Sequence, residues 1–300
     1  MKAMILAAGL GTRLRPLTSK KPKPLVPIGN RPIIDRLIHY LKGHGIREIV
    51  VNAHHHHQQV VEHLDGGRPF GIEVEVRIEP EILGTGGGIK NTEDFWDSDP
   101  FIVINGDILT DVDLNRAFEE HRRNGNLVTL VLHNYTPFNQ IRIDNHRNIV
   151  DIASDDHSGR LAFTGTHIIE PEVLNYIPSG KFSNIIDCYR ELIRSGEPIR
   201  AHLSHEHYWR DIGTVNSYVL ANKESLHENS FLLAPDCRIH STARMEEWAI
   251  IGSNVLLDKD VEIRRSILWN DVRVRRGTKV IDSVVTSQKD VEHDLIDAIC

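Results

Sequence analysis

Apolar residues follow two different spacings along this chain, and the change between them divides it. Over residues 1 to about 228, short apolar runs alternate with runs at helical spacing. Lys2–Ala7 reads as a short strand, Glu48–Asn52 and Phe101–Ile104 as buried strands, and Ile72–Ile78 and Leu127–His133 as two more. Ile33, Ile34, Leu37, Ile38 and Leu41 share one helical face, predicting a helix over Pro32–His44 that stops at Gly43 and Gly45. Gln58–Leu64 and Leu114–Asn124 are helical by the same pattern. Strands separated by helices predict an α/β fold with a doubly wound, mostly parallel sheet covered on both faces. Such sheets bind ligands beyond the carboxyl ends of their strands.

From about Ala234 to Thr286 the helical period disappears. Apolar residues recur at six-residue steps: Ile239, Met245, Ile251; Val255, Val261, Ile267; Val274, Val280. That step predicts a parallel β-helix with one inward residue per short face. The alternative is a set of ordinary hairpin strands, but the recurrence in three blocks favours the β-helix. The division places one domain over 1–228 and a β-helix domain over 229–300, with Val291–Cys300 as a short helical tail or frayed end.

Composition narrows the function. Net charge is 35 − 42 = −7, which argues against a general nucleic-acid surface. No apolar run is long enough to span a membrane, and the apolar N-terminus is too short for a signal peptide. The cysteines, Cys188, Cys237 and Cys300, are too scattered for a disulfide framework or a zinc site and suit a reducing cytoplasm. Charge is unevenly spread. Lys2, Arg13, Arg15, Lys20, Lys21, Lys23 and Arg31 fall within residues 1–34, which hold no Asp or Glu. Interleaved with Gly and Thr, these cations point to a concentrated anion.

The segment Leu6-Ala7-Ala8-Gly9-Leu10-Gly11-Thr12-Arg13-Leu14-Arg15-Pro16-Leu17-Thr18 follows the first strand. Gly9 and Gly11 allow close approach, their N–H groups can form an anion-binding concavity, and Arg13 and Arg15 add charge-assisted hydrogen bonds to phosphate. In Lys21-Pro22-Lys23-Pro24-Leu25-Val26-Pro27 the prolines hold the chain extended and present Lys23 as a fixed charge for a polyphosphate. The loop lacks the third Gly of a dinucleotide fingerprint and the Gly-Lys-Ser/Thr of a P-loop. Asp107 and Asp211 are carboxylates whose default readings are a turn or cap for the first and a salt bridge with Arg210 for the second.

Taken whole, the Gly-x-Gly-Thr-Arg-Leu-x-Pro-Leu-Thr string with Pro-Lys-Pro-Leu resembles the signature of the sugar-1-phosphate nucleotidylyltransferases. The resemblance extends to about Glu224 through Glu79-Pro80-Glu81-Ile82-Leu83-Gly84-Thr85-Gly86-Gly87-Gly88, Asn105-Gly106-Asp107 and Trp209-Arg210-Asp211-Ile212-Gly213-Thr214. It implies a Rossmann-like, doubly wound mixed sheet of the nucleotide-diphospho-sugar transferase type, with a short C-terminal left-handed parallel β-helix. It implies that a nucleoside triphosphate and a sugar 1-phosphate give an NDP-sugar and pyrophosphate. Asp107 and Asp211 would hold Mg²⁺, Arg13 would stabilise developing charge and Lys23 would hold the triphosphate. Nucleotide contacts would come from Leu6, Ala7, Ala8, Gly9, Gly11, Thr12, Arg13, Lys23, Glu79, Gly84, Thr85, Gly86, Asn105 and Gly106, and sugar-phosphate contacts from Gly87, Thr164, Gly165 and Trp209.

No general base is needed, because the attacking phosphate oxygen is already anionic. Positioning and charge neutralisation supply the catalysis. Glu79 could accept two donors from guanine, which favours GTP over UTP; the alternative is an exposed loop acid. The three glycines Gly86–Gly88 suggest close backbone approach to a ligand. The family's Glu-Lys-Pro segment is replaced by Asp151-Ile152-Ala153-Ser154-Asp155-Asp156, without its lysine, leaving Arg142 and Arg160 as candidate cations for the sugar phosphate. Phe163-Thr164-Gly165-Thr166 resembles the muramate branch, whereas the whole pattern also resembles mannose-1-phosphate guanylyltransferases. The His54–His57 run reads as a solvated loop, its side chains diverging too much for a metal. A β-helix this short is too small for an acyl-CoA site, so its expected role is regulation or assembly of a homo-oligomer. A non-catalytic NDP-sugar sensor is the rival from another class.

Overall fold

In the computed structural model, residues 1–136, 138–153 and 159–300 are described. They form two compact units, one of Met1–Leu10 with Arg36–Arg210 and one of Gly11–Asp35 with Asp211–Cys300.

The first unit is built on a nine-stranded mixed sheet. Its elements, in chain order, are β1 (Ala3–Leu6), α1 (Ile33–Gly43, mostly in this unit), β2 (Glu48–Ala53), α2 (His57–Leu64), β3 (Glu73–Ile78), α3 (Gly84–Lys90), β4 (Phe101–Asn105), α4 (Leu114–Asn124), β5 (Val128–His133), β6 (Asn139–Ile143), β7 (Ile149–Ile152), β8 (Leu161–Ile169), α5 (Ile185–Arg194) and β9 (Ile199–Leu203). β1 lies between β2 and β4, and β3 borders β2; all four run parallel. β8 is antiparallel to β4 and to β5, and β9 runs parallel to β5. Ile33, Ile34, Leu37, Ile38 and Leu41 are all buried, as the helical face predicts. The core continues through Met4, Val50, Phe101, Val103, Leu130 and Tyr189. Burying such side chains is worth about 1.5–3 kcal/mol each.

In the second unit, the basic segment, a short hairpin (Pro27–Ile28 with Arg31–Pro32) and α6 (Val215–Glu224) share a body with the C-terminal strands. Those strands stack in parallel as a β-helix. Arg238, Leu256, Arg273 and Asp290 stand in register, steps of 18, 17 and 17 residues, or about three six-residue faces per coil. A second face stacks Arg244, Glu262 and Lys279, and a third stacks Leu233, Ile251, Leu268 and Val285. Most of the expected inward positions lie in its core, including Ile251, Val255, Val261, Val274 and Val280; the cluster takes Leu268 in place of Ile267. The tail differs from expectation. Asp290–Val291 and Leu295–Ile296 are strands of a further coil, not a helix. Among the described residues no helix is long and apolar enough to cross a membrane.

Candidate functional site

In the first unit the parallel strands deliver polar groups at their carboxyl ends. Asn52, the penultimate residue of β2, accepts the Ala7 N–H through Oδ1 at 2.7 Å. It donates through Nδ2 to Glu79 Oε1 at 2.7 Å. The other oxygen of Glu79 accepts the Leu83 N–H at 3.0 Å. His54 Nδ1 lies 2.7 Å from the Glu79 carbonyl. One buried chain of hydrogen bonds thus ties the turn after β1 to the turn before α3. Glu79 is 1% exposed. It is therefore not an exposed loop acid, and each of its oxygens accepts a hydrogen bond from the protein. His54 belongs to this support, and among the described residues no three His, Cys, Asp or Glu side chains gather as a metal cage.

The three glycines also face inward. A Cβ on Gly86 would stand 2.6 Å from Ser183 Oγ, on Gly87 2.6 Å from the Lys181 carbonyl, and on Gly88 2.7 Å from Asn52 Nδ2. The Gly86 and Gly87 N–H groups both donate to the Ser183 carbonyl, at 2.9 and 3.4 Å. The close approach they allow within the protein is to segment 181–184 and to Asn52. Thr85 joins the same contact by accepting the Ile185 N–H at 3.0 Å. Gly84, at φ +73°, lies beneath the ring of Phe182, with Cε2 3.0 Å from its would-be Cβ.

Around β1 and β4 the predicted residues do converge. The Gly106 N–H donates to the Leu6 carbonyl at 2.8 Å, and a Cβ on Gly106 would press on that oxygen and on Ala7. Asp107 follows at once. Asn105 Nδ2 lies 2.7 Å from where a Cβ on Gly165 would stand, and Gly165 has φ +78°. Thr164 is buried, giving its hydroxyl to the Val131 carbonyl and receiving Trp209 Nε1–H on its own carbonyl at 2.8 Å. Trp209 is fixed from behind, because the Tyr208 N–H donates to Asp111 Oδ1 at 2.7 Å. Its ring packs edge-on against His133 and Tyr135. Burial and the neighbouring His207 push the pKa of His133 down to about 4. Gly9 is the exception among the glycines here, with no described atom within 4 Å of its would-be Cβ. Ala8 beside it is buried.

In the second unit, Gly11 adopts φ 63°, and a Cβ there would meet Thr18 Cγ2 at 3.0 Å and Lys23 Cβ at 3.3 Å. Thr18 Oγ1 donates to the Gly11 carbonyl at 2.7 Å, closing the loop. Thr12–Leu14 forms a single 3₁₀ turn carrying Arg13. Lys23–Leu25 is a second such turn rather than an extended run, because Val26 and Leu25 bond back to Lys23 and Pro22. Arg13 and Asp211 come together at Gly213. Its N–H holds Asp211 Oδ1 at 2.7 Å. The Arg13 guanidinium nitrogens lie 3.2 and 3.3 Å from the would-be Cβ of Gly213, and the Asp211 carboxylate crowds the same point. Asp107 and Asp211 fit Mg²⁺ by donor type, as hard oxygens of which one carboxylate is already oriented by a backbone N–H.

Of the two candidate sugar-phosphate cations, Arg160 is engaged with Asp151 at 2.6 Å and the Gln140 carbonyl at 2.9 Å, while Arg142 is exposed. Ser154, Asp155 and Asp156 lie outside the described residues. The sequence reading missed Asn52 and segment 181–184, and it took His54 for part of a solvated loop, whereas His54 is tied to the Glu79 carbonyl. Asn52 alone left a signal, a polar residue near the end of an apolar strand.

The family model described as Nucleotidyl transferase matches residues 2–228. A UTP–glucose-1-phosphate uridylyltransferase of Synechocystis is 28% identical over 95% of this chain and 87% of its own. A mannose-1-phosphate guanyltransferase of Emericella nidulans is 30% identical over 89% of this chain and 74% of its own. An N-acetylmuramate alpha-1-phosphate uridylyltransferase of Neisseria meningitidis is 33% identical over 72% of this chain and 94% of its own. Among solved structures, HddC of Yersinia pseudotuberculosis complexed with GMP-PN matches with TM-score 0.65 and 27% identity, over 75% of this chain and 99% of that one.

Proposed function

Because the chain belongs to the nucleotidyl transferase family and is a sugar-1-phosphate nucleotidyltransferase, we propose that it transfers a guanylyl group from GTP to mannose 1-phosphate with Mg²⁺, releasing pyrophosphate. The observation that carries the catalytic reading is the convergence of Arg13 and Asp211 on Gly213, two of the residues that the resemblance assigns to the reaction. Support for the mannose substrate comes from a relative of that name whose match covers 89% of this chain.

The reaction brings a sugar phosphate anion against a polyphosphate, so the protein's task is to neutralise and align. Lys23 holds the triphosphate and Arg13 takes up charge as it develops on the transferred phosphoryl group. Gly9 leaves room for phosphate beside its backbone. Asp107 and Asp211 would hold Mg²⁺, which when bound supplies positive charge at the phosphates. Gly213 keeps the Asp211 carboxylate in one orientation. The Asn52–Glu79 chain fixes the turns after β1 and before α3, against which the nucleotide is placed. The catalytic domain is assigned to 1–228 and the β-helix to 229–300. The cytoplasm is the assigned compartment, with Cys188, Cys237 and Cys300 all free. The β-helix is assigned to assembly of a homo-oligomer.

A second reading is UTP with N-acetylmuramate 1-phosphate, favoured by the 33% identity of the Neisseria relative. Pyrophosphate release with Mg²⁺, measured for GTP, UTP, dTTP, ATP and CTP against mannose, glucose, N-acetylglucosamine and N-acetylmuramate 1-phosphates, separates the two. A dominant GTP–mannose rate is expected. A dominant UTP–muramate rate transfers the assignment, and nucleotide-sugar binding without turnover in any pair means a sensor. Full activity of Asp107→Asn at saturating Mg²⁺ refutes the metal assignment.

A further inference from the structure

We propose that the first unit carries a second anion site, away from the carboxyl ends of the strands, that takes a phosphorylated small molecule the size of a sugar phosphate. A cavity of about 380 Å³ opens among the last turn of α4, the β6–β7 turn and the start of β9, lined by Glu120, Arg123, His146, Arg147 and Arg200. β9 runs parallel to β5 with Arg200 beside Thr129 near the amino end of β5. The cavity is therefore at the opposite end of these strands from Trp209 and its neighbours, where His133 closes β5.

Three arginines and one glutamate line the cavity, and the glutamate is committed. Glu120 Oε2 lies 2.7 Å from His202 Nδ1 and 4.0 Å from Arg147 Nη1. Arg123 has no acidic partner among the described residues. In a chain of net charge −7, this is a local excess of positive charge.

The turn that carries Arg147, and the Arg200 side chain, are also held in place. Asp144 Oδ1 accepts the His146 and Asn148 N–H groups, each at 2.8 Å, and Oδ2 accepts Asn148 Nδ2 at 2.8 Å, shaping the turn. Arg147 is set at φ 64°, and its carbonyl accepts the Ala201 N–H at 2.9 Å. Arg200 Nη2 donates to the His146 carbonyl at 2.5 Å. A turn built this firmly, with the Arg forks around it, suits the oxygens of a phosphoryl group. The volume exceeds a bare phosphate and falls near the lower end of small-ligand pockets, about 300–1,000 Å³.

Hydrogen exchange on the full chain tests this without reference to turnover. Glucose 6-phosphate and inorganic pyrophosphate are titrated at constant ionic strength against the wild type, Arg123→Ala and Arg123→Ala/Arg147→Ala. Arg123 is exposed and has no acidic partner among the described residues, so its replacement leaves the fold intact. Glucose 6-phosphate is expected to protect amides of 119–125 and 143–149 in the wild type. The midpoint should rise about threefold in the single variant and at least tenfold in the double one, with nucleotidyl transfer unchanged. The proposal is overturned if those amides stay unprotected, if the variants respond like the wild type, or if sodium chloride protects them equally. Protection by pyrophosphate confined to the turns after β1 and β4 reports the substrate site and counts against a second one.

Discussion

Replacing Glu79 by Gln separates support of the site from recognition of the base. The carboxylate is 1% exposed and accepts from both Asn52 Nδ2 and the Leu83 N–H. Glutamine has one acceptor oxygen, so its NH₂ must face one of these donors. Rotating the Asn52 amide offers no escape, because its oxygen is needed by the Ala7 N–H. One buried donor therefore loses its partner, at a cost of about 1–3 kcal/mol. For a chain of this length, roughly 2 °C per kcal/mol turns this into a fall in Tm of about 2–6 °C. The assay is thermal melting with initial rates on GTP and UTP. Tm is expected to fall, and kcat/KM for both nucleotides to fall by the same factor, since the damage is to the turns that every nucleotide meets. An unchanged Tm with selective loss of GTP would refute the argument and make Glu79 a reader of guanine.

Gly213→Ala pushes a methyl group into Arg13 and Asp211; turnover should drop at least tenfold while circular dichroism is unchanged, and a normal rate would break the link between these residues and catalysis. Gly87→Ala puts a methyl against the Lys181 carbonyl and should cost about 1–3 kcal/mol in urea unfolding, as overpacking does. Stability should also fall in mild acid. Burial pushes the pKa of His133 down to about 4 and that of His167 to about 3, below the unfolded value of about 6.5. The unfolded chain therefore binds more protons as pH falls, so stability is full above about 6.5 and is lost on the way to 4. Between pH 7.5 and 5.5 each histidine should remove about 1.3 kcal/mol; urea melts that superimpose at the two pH values would contradict this. Trp269→Phe removes the Nε1 bond to Tyr218 Oη, 2.8 Å long, and should lower Tm by a few degrees.

Elements with a strong period were legible in the sequence. The helix over Leu114–Asn124 has the observed bounds, and the β-helix step is visible because its inward positions are almost uniformly aliphatic. The final coil escaped notice because Gln288, Lys289, Asp290, Glu292, His293 and Asp294 dilute its apolar residues. At the site, single motifs were legible, but their partners were not. Gly86–Gly88 suggest a close approach without saying to what; the answer, Lys181–Ser183, lies about 95 residues further on. Glu79 looked like an open acid because nothing local announces that Asn52 and Leu83 enclose it. Gly213 was visible inside a motif, yet only the fold shows that both the Asp211 carboxylate and, from far away in sequence, the Arg13 guanidinium close on its α-carbon.

Hydrogen bonds tie the hairpin, α6 and the earlier coils of the β-helix together. The Gly29 N–H donates to Asn222 Oδ1 at 2.9 Å, Asn30 Nδ2 donates to the Ile251 carbonyl at 2.8 Å, and Trp269 holds Tyr218. Later coils repeat the same stacking without any of these bonds. The β-helix therefore separates attachment from length. Its earlier coils act as a mortise for the hairpin and α6, and the coil beyond Trp269 extends the stack by repeating the same parallel pairing.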